Sequence, residues 1–380
     1  MAKRELAEVV FLARSLERGG AERQLVTLAR ALSGRGQPVA VVLFYGGGPL
    51  EQELAGSGVR LISLDKHGRW DMAGFGWRLI RTLRSFRGAT IHGYLTVPNL
   101  LLALAKPFLR GSRVVWGLRA SDMDMSRYDW LAGVTARLEC LASNRADIII
   151  ANSTAGKRHA IERGFPGQKI TVVPNGIDTK TFRPDHDARN RVRSEWSVTA
   201  DQILVGLAAR LDPMKDHQTF LNAAAIAWQQ NPHLRFALIG DGPRDYRESL
   251  RAMSRTLGIA DRVIWTGMRD DMSAAYNALD IFCSASAWGE GFSNSIAEAM
   301  ACGVPCVATD VGDSAMIVGA AGRIVPPRNP SALADAMLAL AGMEEAERKR
   351  LGAQARQRIE SEFSVERLVE NTALALGLAL

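Results

Sequence analysis

A chain of 380 residues exceeds one comfortable core and points to two domains of roughly 150–200 residues each. Hydrophobic residues at 47% with 23% charge exclude a disordered, collagen-like or coiled-coil protein, and four cysteines in such a length exclude a disulfide framework. The net charge of +7 hides an asymmetry: residues 1–185 carry 27 Lys+Arg against 16 Asp+Glu, the remainder 20 against 24.

Short β-branched runs alternate with longer helical periods, the pattern of parallel α/β domains. In the first half, residues 8–13, 38–44, 60–63, 90–92, 113–116, 147–151 and 170–173 are predicted strands, and 21–33, 76–85, 100–105, 130–143 and 153–163 predicted helices. The turn signal Val173-Pro174-Asn175-Gly176 and the charged stretch 185–195 place the join near 175–196. In the second half, strands are predicted at 203–208, 235–239, 262–266, 281–284, 305–308 and 322–325, with helices at 216–229, 244–257, 272–278, 293–301 and 331–340. A polar helix at 344–362 and a last apolar-striped helix at 365–380 follow. The economical fold class is α/β, two Rossmann-like domains in series, divided as 1–185 and 186–364.

No run of about 18 uncharged apolar residues occurs and the N-terminus shows no signal-peptide core, so a reducing, cytoplasmic location is expected. The basic first half calls for an anionic partner. No zinc-finger, RRM or KH signature is present, so nucleic acid is not expected. The clusters Arg78-Arg81-Arg84-Arg87 and Lys106-Arg110-Arg113, beside Trp77, Phe86 and Phe108, fit contact with an anionic membrane surface.

The densest chemistry lies between residues 284 and 313. Glu290 and Glu298 are eight residues apart, which on a helix spans about 12 Å with about 80° of rotation. That is too far for the close carboxylate pair of glycoside hydrolysis, at about 5–9 Å. The two can instead accept from the hydroxyls of a sugar and a ribose at opposite ends of one ligand. Gly291, Phe292, Ser293 and Asn294 lie between them at a helix N-terminus, where free N–H groups favour a phosphate. Arg210 and Lys215 occupy the strand-to-helix turn 209–216, where open α/β sheets bind ligands. Two cations there neutralise a diphosphate leaving group without a metal. Gly240 and Gly242, in Gly240-Asp241-Gly242-Pro243, and Met268-Arg269 end the next two strands. Gly19 and Gly20 open the first helix. Cys302 and Cys306 read as buried packing rather than zinc ligands. Asp122-Met123-Asp124 and Asp185-His186-Asp187 match a metal-binding D-x-D by chance, so no metal site is expected.

Taken together, these pieces resemble the retaining glycosyltransferases of GT-B fold, glycosyltransferase family 4 (glycosyltransferase group 1). The resemblance is carried by Gly19-Gly20-Ala21-Glu22, Val173-Pro174-Asn175-Gly176-Ile177-Asp178, residues 206–215, Gly240-Asp241-Gly242-Pro243, Glu290-Gly291-Phe292-Ser293-Asn294 and the run 296–305, ending in Val311-Gly312-Asp313. It implies two Rossmann-like domains facing across a cleft, with the helix 365–380 crossing back onto the first, acceptor-binding domain. The second domain would hold a nucleotide-sugar, a co-substrate rather than a cofactor, with Glu298 on the ribose and Arg210 and Lys215 on the diphosphate. Glu290 and the backbone of Gly291, Phe292 and Ser293 would hold the sugar, and Gly20 would close over the phosphates. Many relatives carry a His after the strand that here reads Trp116-Gly117 at its end. His92, at the end of the predicted strand 90–92, is the nearest substitute, and Arg119 and Asp122 are candidate acceptor contacts.

The expected activity is metal-independent hexosyl transfer with retention, UDP-sugar favoured, to a saccharide or polyprenyl-diphosphate-linked acceptor in bacterial surface polysaccharide or lipopolysaccharide synthesis. The enzyme would work peripherally at the inner face of the cell membrane. A UDP-sugar 2-epimerase of the same fold and a non-catalytic sugar-nucleotide-binding protein are the alternatives.

Overall fold

The computed structural model describes residues 7–68, 70–119 and 130–378. The chain forms two compact units, Met1–Gly176 with Val365–Leu380, and Ile177–Ser364. The division thus falls at Gly176/Ile177, ahead of the expected 185/186 boundary.

In the first unit β1 (Val9–Ala13), α1 (Gly20–Gly34), β2 (Val39–Leu43), β3 (Arg60–Ser63), α2 (Met72–Ser85), β4 (Thr90–Tyr94), α3 (Thr96–Ala105), β5 (Arg113–Leu118), α4 (Trp130–Ser143), β6 (Ile148–Ala151), α5 (Thr154–Glu162) and β7 (Ile170–Val172) alternate along the chain. The strands pair in parallel in the order β3-β2-β1-β4-β5-β6-β7. β1 and β2 are buried at every position, as unbroken apolar runs must be when helices cover both sheet faces. Val10 and Leu12 of β1 meet α2 and α3 on one face, while Val9 and Phe11 meet α1 on the other.

The second unit runs through α6 (His186–Glu195), β8 (Ile203–Ala208), α7 (His217–Gln230), β9 (Leu234–Ile239), α8 (Arg244–Thr256), β10 (Val263–Gly267), α9 (Met272–Ala278), β11 (Ile281–Ser284), α10 (Asn294–Ala301), β12 (Cys306–Thr309), α11 (Ser314–Val318), β13 (Gly322–Val325), α12 (Pro330–Ala341) and α13 (Glu345–Glu362). Its parallel sheet has the order β10-β9-β8-β11-β12-β13, so the direction of winding reverses between β8 and β11. The last helix, α14 (Val365–Leu376), buries Leu368, Val369 and Leu376 beside α1 in the first unit's core. Both units are Rossmann-like.

The reading of two segments changes. Asp185-His186-Asp187 begins α6, Asp185 capping it by accepting from Ala188 N at 2.9 Å. α6 itself was read only as a charged connector. β4 continues past His92 to Tyr94, so His92 lies inside the strand rather than at its end.

Candidate active site

β8 ends at Ala208 and the chain turns through residues 209–216 into α7. Asp212 caps a short 3₁₀ turn, accepting from Met214 N at 2.9 Å. Asp216, at φ +48°, starts α7 by accepting from Thr219 N at 3.1 Å. These two carboxylates fix the segment that carries Lys215. The loop after β11, residues 285–293, runs alongside, with Ala287 N donating to Met214 O at 2.9 Å. β8 and β11 are the neighbours at which the strand order reverses, the crevice where doubly wound sheets take ligands.

Across that crevice Lys215 Nζ donates to Glu290 Oε1, and Ser286 Oγ donates to the same oxygen at 2.6 Å. Burial would raise the Glu290 carboxyl, but the Lys215 ammonium and the Ser286 hydroxyl outweigh it and hold the group below the usual glutamate range. Sequence reasoning gave Lys215 and Glu290 separate roles and missed both their pairing and Ser286. The partners are 75 residues apart, and only the adjacency of β8 and β11 brings them together. Arg210 is exposed and meets Asp212 Oδ2 at 2.9 Å.

The loop after β12 clamps the backbone at Glu290-Gly291. Asp313 N donates to Gly291 O at 3.0 Å. Gly312 has φ +63°, and a Cβ there would stand 2.3 Å from Glu290 O, so no other residue fits without displacing the site. Phe292 is buried against Phe363 at 5.4 Å. Ser293 sits at the N-cap of α10 without a side-chain capping bond; its hydroxyl lies 3.4 Å from that of Ser295. Asn294 is the first residue of α10. Glu298, further along α10 and half-buried, accepts from Tyr276 Oη at 2.9 Å. Burial and the adjacent Glu298 push the Tyr276 hydroxyl well up, so it stays a donor.

The remaining second-unit candidates are held close to other loops. Gly240, at φ +137°, would place a Cβ 2.1 Å from Ala209 O, and Gly242 makes the same kind of approach to Leu211 O. Leu211 N donates to Asp241 O at 3.0 Å, so the loops after β8 and β9 pack backbone to backbone. Met268 is exposed, whereas the Arg269 guanidinium is filled by Glu195 (2.6 and 3.2 Å) and Asp271 (2.8 Å twice), which raise its pKa further.

In the first unit Gly19 is the N-cap of α1 and Gly20 its first residue. His92 has no exposed surface; it packs against Phe11 and Tyr94, and burial with Arg119 nearby keeps it neutral. The imidazole is thus enclosed in the core of the sheet, inside β4 rather than at its end. Arg119 lies over the Tyr94 ring at 4.2 Å and donates to Tyr94 Oη at 2.5 Å and Asn175 Oδ1 at 3.3 Å. Asp122 lies outside the described residues. Among the described residues no cluster of three His, Cys, Asp or Glu side chains is placed to hold a metal ion, and no helix is long and apolar enough to cross a membrane.

A crevice at a winding reversal, with the Lys215–Glu290 pair and the start of α10 beside it, is the ligand-taking position of a doubly wound Rossmann-like fold. The family model Glycosyltransferase Family 4 matches residues 18–181, and that of Glycosyl transferases group 1 matches residues 202–342. The chain belongs to the glycosyltransferases of GT-B fold, with a Family 4 module followed by a group 1 module. It is 31% identical over 204 residues to the GDP-mannose-dependent alpha-(1-6)-phosphatidylinositol monomannoside mannosyltransferase of Mycolicibacterium smegmatis; the match spans 51% of this chain and 53% of that enzyme. It is likewise 31% identical over 202 residues to the lipopolysaccharide core biosynthesis mannosyltransferase LpsB of Rhizobium meliloti, over 51% of this chain and 55% of LpsB. The chain thus spans about half the length of these relatives. The crystal structure of Anabaena HepE with UDP and glucose shares the fold at a TM-score of 0.85 and 24% identity, covering 98% of this chain and 99% of HepE.

Proposed function

We propose that the protein transfers a hexose from a nucleotide-sugar to a saccharide or lipid-linked saccharide acceptor, with retention at the anomeric carbon. The observation that carries this reading is the Lys215–Glu290–Ser286 group in the β8/β11 crevice. An ammonium has three donors. One is spent on Glu290, which leaves two for a diphosphate or a sugar hydroxyl. Arg210 leaves only an exposed pair with Asp212, worth about 0–1 kcal/mol, to reach the same diphosphate. The ionised Glu290 accepts from sugar hydroxyls, Glu298 from the ribose, and the N-terminus of α10 faces phosphate.

The acceptor hydroxyl then attacks on the face from which the phosphate departs. The bond from the anomeric carbon to the phosphate oxygen breaks as that to the acceptor oxygen forms, and the leaving phosphate takes the acceptor's proton. Arg210 and Lys215 stabilise the charge that develops on it, so the reaction runs without a metal or other cofactor. The donor is a UDP-sugar, a reading supported by the UDP held by HepE. A GDP-mannose donor is the second reading, favoured by the GDP-mannose-dependent relative. The enzyme acts in surface-glycan synthesis at the inner face of a membrane, as the lipid and lipopolysaccharide acceptors named for its relatives support.

Slow donor hydrolysis, followed by proton NMR, tests the stereochemistry. An α-linked sugar nucleotide releases the α anomer first if the reading holds, and EDTA leaves the rate unchanged. First appearance of the β anomer, or loss of turnover in EDTA, contradicts it.

A further inference from the structure

The first unit presents an apolar and basic face that the sugar-transfer reading does not use. Of the thirteen exposed large apolar side chains among the described residues, twelve lie in the first unit; Met268 is the exception. Seven of them belong to α2, α3 and α4 or the turn after α3: Met72, Trp77, Val97, Leu104, Phe108, Leu138 and Leu141. The inward faces of these helices share the Val10/Leu12 core, so all three helices cover one side of the sheet. No Asp or Glu occurs between Asp71 and Asp122, against eight Lys and Arg.

Where α2 ends, a cavity of about 550 Å³ opens to solvent. Its rim carries Arg84, Arg87 and Arg110, with Leu83, Leu109 and the exposed Phe108 beside them. The neighbouring carboxylates are already engaged: Asp71 by Arg78, Glu139 by Arg163 at 3.1 Å and Asp147 by Lys106 at 2.6 Å. Among the described residues none of the three rim arginines meets a carboxylate.

We propose that this face docks on an anionic phospholipid bilayer, with the cavity seating one lipid phosphate between Arg84, Arg87 and Arg110. Arginines reach the phosphate level while Trp77, Leu104, Phe108, Leu138 and Leu141 enter the headgroup–acyl boundary. Arg81 lies over the Trp77 ring at 5.0 Å, which keeps a charged head and an aromatic body at one depth. A soluble phosphate ligand accounts for the cavity but leaves the row of exposed leucines without a partner, and a nucleic-acid backbone does the same. The assignment deepens the reading that the acceptor is lipid-borne and rests on it only for its biological purpose.

Vesicle flotation of the full chain tests it. The protein should float with phosphatidylcholine vesicles that contain phosphatidylglycerol and stay behind with phosphatidylcholine alone. Replacing Arg84, Arg87 and Arg110 together by Gln should lower the partition coefficient by on the order of a hundredfold, each charge near the surface counting for about fivefold. Leu104→Ser with Phe108→Ser, both at exposed sites, should weaken flotation with the charges intact. Unchanged flotation of the triple variant overturns the assignment, as does equal flotation with neutral vesicles. Titration with glycerol phosphate or an oligonucleotide that binds the wild type and not the triple variant gives the cavity to that ligand instead. Thermal shift with sugar nucleotides reads the second unit separately: flotation without a shift sinks sugar transfer alone, and a shift without flotation sinks the docking face alone.

Discussion

Glu290 is an ionised carboxylate in a buried place, and its behaviour follows from Lys215 and Ser286. Removing the ammonium by Lys215→Ala leaves an uncompensated buried charge and should cost about 3 kcal/mol in denaturant unfolding. Glu290→Gln keeps the shape and an acceptor for Ser286, so the protein should stay folded while donor turnover falls by on the order of a hundredfold. Arg210→Ala removes only an exposed pair, so stability should change by no more than about 1 kcal/mol. Donor binding and the chemical rate should fall together in that variant. Acid sensitivity also begins here. The fold lowers the Glu290 pKa, so the contribution of its pair is complete above the ordinary value of 4.5 and fades as pH falls through the folded value. His217 is fully buried, and burial with Lys215 beside it drives its pKa to about 4. The unfolded chain therefore binds the His217 proton first, and stability drops from pH 6.5 toward 4 with a slope of up to about 1.4 kcal/mol per pH unit. Unfolding curves across that range should flatten in His217→Gln, and below pH 4.5 in Glu290→Gln.

At the scale of elements, the loops after β8, β11 and β12 are built to hold one another. Gly312→Ala forces a side chain onto the Glu290 carbonyl at a positive φ, so it should cost at least about 1–3 kcal/mol and misplace Glu290, lowering turnover with it. α14 is structural for the first unit: Leu368→Ala should cost about 2–5 kcal/mol in thermal or denaturant unfolding. Most strands and helices were legible because apolar periodicity is a local signal. α6 was not, because it buries only two apolar side chains, Ala188 and Val192, too few for a readable stripe. Its third buried residue is Arg193, which bonds Asp280 at 2.8 Å and reaches the carbonyls of Thr199 and Gln202. β4 was cut short because Gly93 reads as a strand breaker. There Asn99 Nδ2 reaches Gly117 O at 3.1 Å, a close approach that needs the bare backbone of Gly93. The motif loops of the site were visible in the chain, whereas the Lys215–Glu290 pair required the β8–β11 register.

For the whole molecule, positive charge and, among the described residues, all but one of the exposed large apolar side chains concentrate in the first unit; on the proposals above, the second unit would carry the donor chemistry and the first the lipid-facing surface. The central claim concerns the donor and the crevice after β8 and β11. Its most direct measurement is a thermal-shift titration of the full chain with UDP-, GDP-, ADP- and dTDP-hexoses, run in parallel on Arg210→Ala and Glu290→Gln. One sugar nucleotide should raise Tm in the wild type, by about 2.7 kcal/mol of stabilisation at a hundredfold excess over Kd. Arg210→Ala should reduce that shift, while Glu290→Gln should bind the free nucleotide normally and lose the increment due to the sugar. A wild type that responds to no sugar nucleotide, or two variants that respond as the wild type does, contradicts the account.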